Sequence, residues 1–145
     1  MLTLSQKLFY AVEAVVYIAY NAKGEPISGR EVAERQDLPP RYLEQMMQKL
    51  VHAGILRGMR GPNGGYILGR ERRNITLKDV CQALDEKEKL TAQTALGKVM
   101  LAPLANQLHS AWVDQLADVT IQQLCDKAAA QKIKLDHKPV NDFTI

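Results

Sequence analysis

Apolar residues recur at helical spacing near the start of the chain. Leu4, Leu8, Val12, Val15 and Ala19 share a face and predict an amphipathic helix from about Ser5 to Tyr20, closed by Gly24-Glu25-Pro26. A short extended piece at Ile27 follows. Ser28-Gly29-Arg30-Glu31 then reads as a capping box that opens a second helix, Arg30 to about Gln36, with Val32 and Ala33 inward. Asp37-Leu38 turns the chain, and Pro39-Pro40 sets the start of a third helix reaching His52, because a first-turn proline forgoes an N–H that has no partner there. Its inward stripe is Leu43, Met46 or Met47, Leu50 and Val51.

Beyond Gly54 the period changes. Ile55 to Arg60 and Tyr66 to Leu68 read as short strands, and Arg60-Gly61-Pro62-Asn63-Gly64-Gly65-Tyr66 reads as the tip of a β-hairpin. Pro62 pre-sets φ, and Asn63 and Gly64 tolerate positive φ. Thr76-Leu77-Lys78-Asp79 is a second capping box, opening a fourth helix through about Leu84. Glu86 to about Leu96 reads as a charged and polar connection. Pro103 predicts a long helix that bends or begins there, with Leu101, Ala105, Leu108, Trp112, Leu116 and Val119 repeating along it. Thr120-Ile121-Gln122-Gln123 caps a last helix ending near Ala130. The fold expected is mainly α with a small β-hairpin wing. Residues 1–85 form a winged helix-turn-helix domain, 86–131 a linker and pairing helices, and 132–145 a tail expected to be disordered.

The third helix leaves Arg41, Tyr42, Glu44, Gln45, Gln48, Lys49 and His52 outward. Gln pairs bidentately with adenine, Glu accepts from the cytosine amino group, and Arg or Lys binds guanine or phosphate. At the wing, Arg60, Gly61, Asn63 and Gly64 form a nearly side-chain-free finger with one guanidinium, suited to a minor groove of negative potential. Ser28, at the start of the second helix, completes this candidate DNA-binding set. Any solvated helix shows a mixed polar face, and most glycine-rich hairpins are plain connections. Their succession as helix, turn, helix and wing is the specific signal. Arg70, Arg72 and Arg73, just after the wing, suit either phosphate contact or a solvated loop.

The long helix carries more apolar surface than a small domain needs, at Leu101, Leu104, Leu108, Trp112 and Leu116. A two-fold partner buries such a face on both subunits and presents two recognition helices to half-sites one turn apart on DNA.

Composition narrows the classes. The 145 residues are 46% hydrophobic and 24% charged, as in an ordinary globular chain. The net charge of +3 is uneven: residues 1–75 hold 11 Lys/Arg against 7 Asp/Glu, and residues 76–145 hold 8 against 9. The basic half contains the hairpin, as phosphate contact requires. Glu13 interrupts the first apolar run, which therefore reads as a buried helix rather than a secretory leader, and no run is long enough to span a bilayer. Two cysteines far apart make no disulfide framework, which points to a reducing cytoplasm. His52, His109 and His137 are too scattered for a metal site. No nucleophile–base constellation and no phosphate-binding glycine loop of the nucleotide type is present, so neither an enzyme nor a bound cofactor is expected.

Tyr42-Leu43-Glu44-Gln45, the wing Arg60-Gly61-Pro62-Asn63-Gly64-Gly65-Tyr66-Ile67-Leu68-Gly69 and the helix start Thr120-Ile121 together resemble the Rrf-type bacterial transcription regulators, over most of residues 1–130. The resemblance implies a homodimer on a palindromic operator in double-stranded DNA. Tyr42, Glu44 and Gln45 match its recognition-helix positions, and Arg60 matches the wing arginine that enters the minor groove. The chain also departs from the pattern. Cluster-binding members place three cysteines between the fourth and the long helix, whereas Lys87 to Leu108 contains neither Cys nor His, so no iron–sulfur cluster is expected there.

Cys81 and Cys125 read as buried structural thiols, with a redox switch as the alternative. The expected activity is that of a dimeric, sequence-specific DNA-binding regulator acting as a repressor. A protein-interaction module on the same scaffold and a thiol-based redox sensor are the alternatives. Its input would be a small molecule in a pocket between the fourth and the long helix, a partner protein, or thiol chemistry.

Overall fold

The computed structural model describes residues 5–21, 23–84 and 92–135. Leu4, the connection over residues 85–91, His137 and the tail from residue 136 lie outside the described residues.

Helix α1 (Gln6–Tyr20) starts where Ser5 Oγ accepts from the Leu8 amide at 3.2 Å. It is the central helix, packed on α2 (Gly29–Gln36), α4 (Leu77–Ala83), α6 (Ile121–Ala130) and the second strand. Burial centres on Ala11, Ala14, Val15 and Ile18, while Val12 from the predicted stripe is only half covered. Neighbours on several sides demand an apolar surface wider than a single stripe.

Helix α2 is capped by Ser28, whose Oγ accepts from the Glu31 amide at 3.2 Å. The Glu31 carboxylate takes the Tyr17 hydroxyl, which ties α2 to α1. Asp37 then adopts left-handed geometry with φ of 53°, turning the chain into α3 (Pro40–His52). Both Met46 and Met47 are buried, beside Leu43 and Leu50, so the choice the period left open is resolved in favour of both; Val51 is half-buried.

Strands β1 (Leu56–Met59) and β2 (Gly65–Leu68) pair antiparallel, with Leu56 opposite Leu68 and Met59 opposite Gly65. Ile27 adds one further bridge, exchanging two backbone hydrogen bonds of 3.0 and 2.7 Å with Tyr66. The wing is thereby sewn to the segment that precedes α2. Its left-handed residue is Gly61, at φ of 123°, rather than Asn63 or Gly64 as the turn chemistry suggested. Gly64 and Gly65 serve instead to let backbones close: a Cβ would lie 2.5 Å from the Met59 carbonyl oxygen at Gly64, and 2.3 Å from that of Ile27 at Gly65.

Helices α4 and α6 both open with complete capping boxes, Thr76/Asp79 and Thr120/Gln123. The two starts lie side by side, joined by Leu77 N–H to Val119 O at 2.9 Å and Ile121 N–H to Ile75 O at 2.8 Å. Ile121 and Cys125 of α6 thus enter the same core as α1. Between them runs the long helix α5 (Ala102–Gln115), which follows directly from a π-helical turn over Gly97–Leu101. Pro103 lies in the first turn of this helix, where the sequence has a long helix begin or bend. The widened turn immediately before it lies where proline removes a backbone donor and crowds the preceding carbonyl.

Candidate nucleic-acid interface

The buried face of α3 orients everything else on it. With Leu43, Met46, Met47 and Leu50 locked in the core, Arg41, Tyr42, Glu44, Gln45, Gln48 and His52 are exposed and Lys49 is half-buried. Pro39 precedes the helix without a side-chain cap, so the first-turn amides remain donors that a phosphate can satisfy.

The wing stands beside this face. Its turn is closed by Gly64 N–H to Gly61 O at 2.9 Å, and Arg60, Gly61, Pro62 and Asn63 are exposed at its tip. Arg57 on β1 adds a second exposed cation.

Tyr66 joins the wing to the start of α2. Its ring meets the Gly29 position, where an added Cβ would sit 3.2 Å from Cε2, and the Glu44 carboxylate on α3 lies close enough to act on its phenol. The hydroxyl pKa is raised, first by burial and then by that carboxylate. The start of α2 and the base of the wing therefore meet at one aromatic ring, whose hydroxyl also feels the Glu44 charge on α3. Sequence reasoning treated Tyr66 only as a strand former. The available clue was an aromatic placed directly after Gly64-Gly65, where close backbone approach lets a large side chain reach across.

Ser28 Oγ is used as the α2 cap, which leaves its hydroxyl proton to donate. The arginines after the wing have partners within the chain. Arg70 pairs with Asp79 at 3.3 Å, Arg72 Nε donates to Gln122 at 2.7 Å, and Arg73 pairs with Glu71 at 2.5 Å. Arg70 and Arg72 fasten the wing exit to α4 and α6. Of the residues expected to pair two chains, Leu101, Leu104 and Leu108 are exposed, whereas Trp112 and Leu116 are partly covered by their own chain, with His109 stacked on Trp112 at 6.2 Å.

A helix-turn-helix whose second helix presents amides, a carboxylate and cations, flanked by a short-residue wing carrying Arg60, defines a winged helix-turn-helix DNA-binding protein. A family model described as "Iron-dependent Transcriptional regulator", Rrf2, matches residues 4–127, and the chain belongs to that family of DNA-binding transcriptional regulators. Its members act on transcription and are not enzymes.

A Haemophilus influenzae protein described as an HTH-type transcriptional regulator is 32% identical over 98% of this chain and 97% of its own length. The HTH-type transcriptional regulator IscR of Escherichia coli is 36% identical over 88 residues, 61% of this chain and 54% of that protein. Among solved structures, IscR from T. potens superposes with a TM-score of 0.69 at 32% identity, over 90% of this chain and 91% of that one. CymR, the global cysteine regulator of B. subtilis, gives 0.68 at 27% identity, over 88% and 98%.

The family description raises iron, and the donor set can be tested for it. An iron–sulfur cluster takes four ligands, thiolates with occasional imidazoles. The chain has two cysteines and three histidines, and none of them lies between Lys87 and Leu108. Cys125 is buried, its Sγ faces the Val16 carbonyl at 4.0 Å, and burial pushes its thiol pKa up, away from the thiolate a metal needs. Cys81 is half-buried on α4. Among the described residues no three His, Cys, Asp or Glu side chains converge as a metal site. These residues do not fit a cluster at the connection. Among the described residues no helix is long and apolar enough to cross a membrane.

Proposed function

We propose that the protein is a homodimeric repressor that binds a palindromic operator and works without an iron–sulfur cluster between α4 and the long helix. The carrying observation is the uncovered side of that helix, where Leu96, Val99, Met100, Leu101, Leu104 and Leu108 are 50–73% exposed. A contiguous apolar face of this kind is unstable in water, and a two-fold copy covers it on both chains at once. The pair then presents two α3 helices to successive major-groove turns, about 34 Å apart. Arg60 enters the flanking minor groove, and Tyr42, Glu44 and Gln45 reach base edges. Occupying two turns of duplex excludes other proteins from the same DNA, which is repression by occlusion.

Fluorescence anisotropy on genomic fragments enriched by the protein tests this reading. Arg60→Ala weakens operator binding by roughly tenfold or more and lowers the slope of log affinity against log salt by about one. Unchanged affinity and slope would remove the wing from the interface. Glu44→Ala keeps most of the affinity but flattens the base preference by about 1–3 kcal/mol at the position it reads. The same selectivity across single-base variants would show that Glu44 is not a reader. A promoter fusion that rises when the chain is deleted establishes the direction of control; one that falls makes it an activator.

A further inference from the structure

A cavity of about 520 Å³ lies between α1, α2 and α6, lined by none of the candidate DNA-binding residues. This is not the place between the fourth and the long helix that the sequence suggested for a small-molecule input. Its apolar walls come from Val12, Val16, Val32, Leu124, Ile133 and Leu135. The segment after α6 helps to close it: Asn21 Nδ2 donates to the Leu135 carbonyl at 2.6 Å, and Arg35 donates to that of Lys134.

The charged residues around the cavity differ in sign and number. Arg35 and Lys127 are exposed cations, and Glu13 is the exposed carboxylate. Arg35 is held in place, its guanidinium 4.6 Å above the Tyr17 ring. Tyr17 in turn donates to Glu31, and burial first, then that bond, pushes its pKa up to about 12, so it contributes a neutral ring. Among the lining residues the cations outnumber the carboxylate two to one, with Glu31 at the Tyr17 hydroxyl outside the lining, and apolar walls with such an edge suit a molecule with an apolar body and one negative end.

We propose that this cavity is an effector site for a small organic acid, one carboxylate on an aliphatic body of on the order of ten heavy atoms, the size such volumes accommodate. The carboxylate sits by Lys127 and Arg35, and the chain lies against Val16, Val32 and Leu124. Val32 and Arg35 belong to α2, which packs on α3, so filling the cavity changes the fit of α3 to DNA. This role rests on the DNA-binding reading above, whereas the binding site itself does not.

The test is calorimetry on the full chain with three probes of matched length, octanoate, octan-1-ol and octylamine, together with methyl NMR. Octanoate is expected to bind tightest, to shift the Val12, Val16 and Leu124 methyl signals, and to change the affinity for DNA. Lys127→Glu, at an exposed position, should weaken octanoate by roughly fivefold and leave octan-1-ol unchanged, with the circular dichroism of the wild type. Equal binding of the three probes, tighter binding of the amine, no binding, or methyl shifts confined to Val99–Leu108 overturns the site. Octanoate binding at the cavity with unaltered DNA affinity overturns the effector role. A chain that binds octanoate but no DNA sinks the regulator reading and leaves the cavity assignment standing; the reverse result sinks only the cavity.

Discussion

Leu104→Glu is expected to convert the proposed dimer to a monomer and to abolish tight operator binding. Leu104 is half exposed in the single chain, so the folded subunit tolerates a charge there and its circular dichroism stays the same. In a two-fold pair the same position is buried twice. Forgoing burial of the exposed half of that leucine costs about 1 kcal/mol on each side, and desolvating each carboxylate adds about 1–3 kcal/mol, which together raise the dimer dissociation constant by roughly a thousandfold. Operator affinity falls with it, because one recognition helix then binds where two were linked. Sedimentation equilibrium and anisotropy measure the two effects. A variant that still sediments as a dimer at micromolar concentration would place the pairing surface elsewhere.

Gly65→Ala is expected to be the most damaging small substitution in the wing. Its new methyl would lie 2.3 Å from the Ile27 oxygen, 2.5 Å from the Ile27 carbon and 2.8 Å from the Ser28 nitrogen, all of them backbone atoms. No side chain can move aside to accept it. Either the strands part, giving up the two Ile27–Tyr66 hydrogen bonds, or the entry to α2 shifts; each costs on the order of 3 kcal/mol. Gly58→Ala is the matched control on β1, where an added Cβ meets nothing within 4 Å, and its effect should stay within about 0.5 kcal/mol. Thermal melts with and without operator DNA separate loss of stability from loss of contact. Equal melting of the two variants would mean that the wing is not held against Ile27.

The two substitutions mark where sequence reading succeeds and where it stops. The exposed stripe of the long helix was legible because helix periodicity is local, and Leu101, Leu104 and Leu108 do face outward. Trp112 and Leu116 belong to the same repeat, yet their own chain partly covers them, since α4 and the turn after α5 pack there. Nothing in the spacing tells a position covered by a neighbour in the fold from one left bare.

Side-chain chemistry within a few residues also determined the helix starts. Ser5, Ser28, Thr76 and Thr120 all accept from the backbone amide three residues ahead, and α3 runs from Pro40 to His52 as the proline pair predicts. The polar face of α3 follows from the same short-range geometry. Tertiary structure alone decided the rest. It assigned left-handed geometry to Gly61 and close packing to Gly64 and Gly65, set a π-helical turn directly before α5, and turned Arg70 and Arg72 toward Asp79 and Gln122. It also set Tyr66 between Gly29 and Glu44 and left a cavity among α1, α2 and α6. Each of these depends on atoms brought together from distant positions in the chain. A periodic pattern says which side of an element turns inward, but only packing says what it meets there.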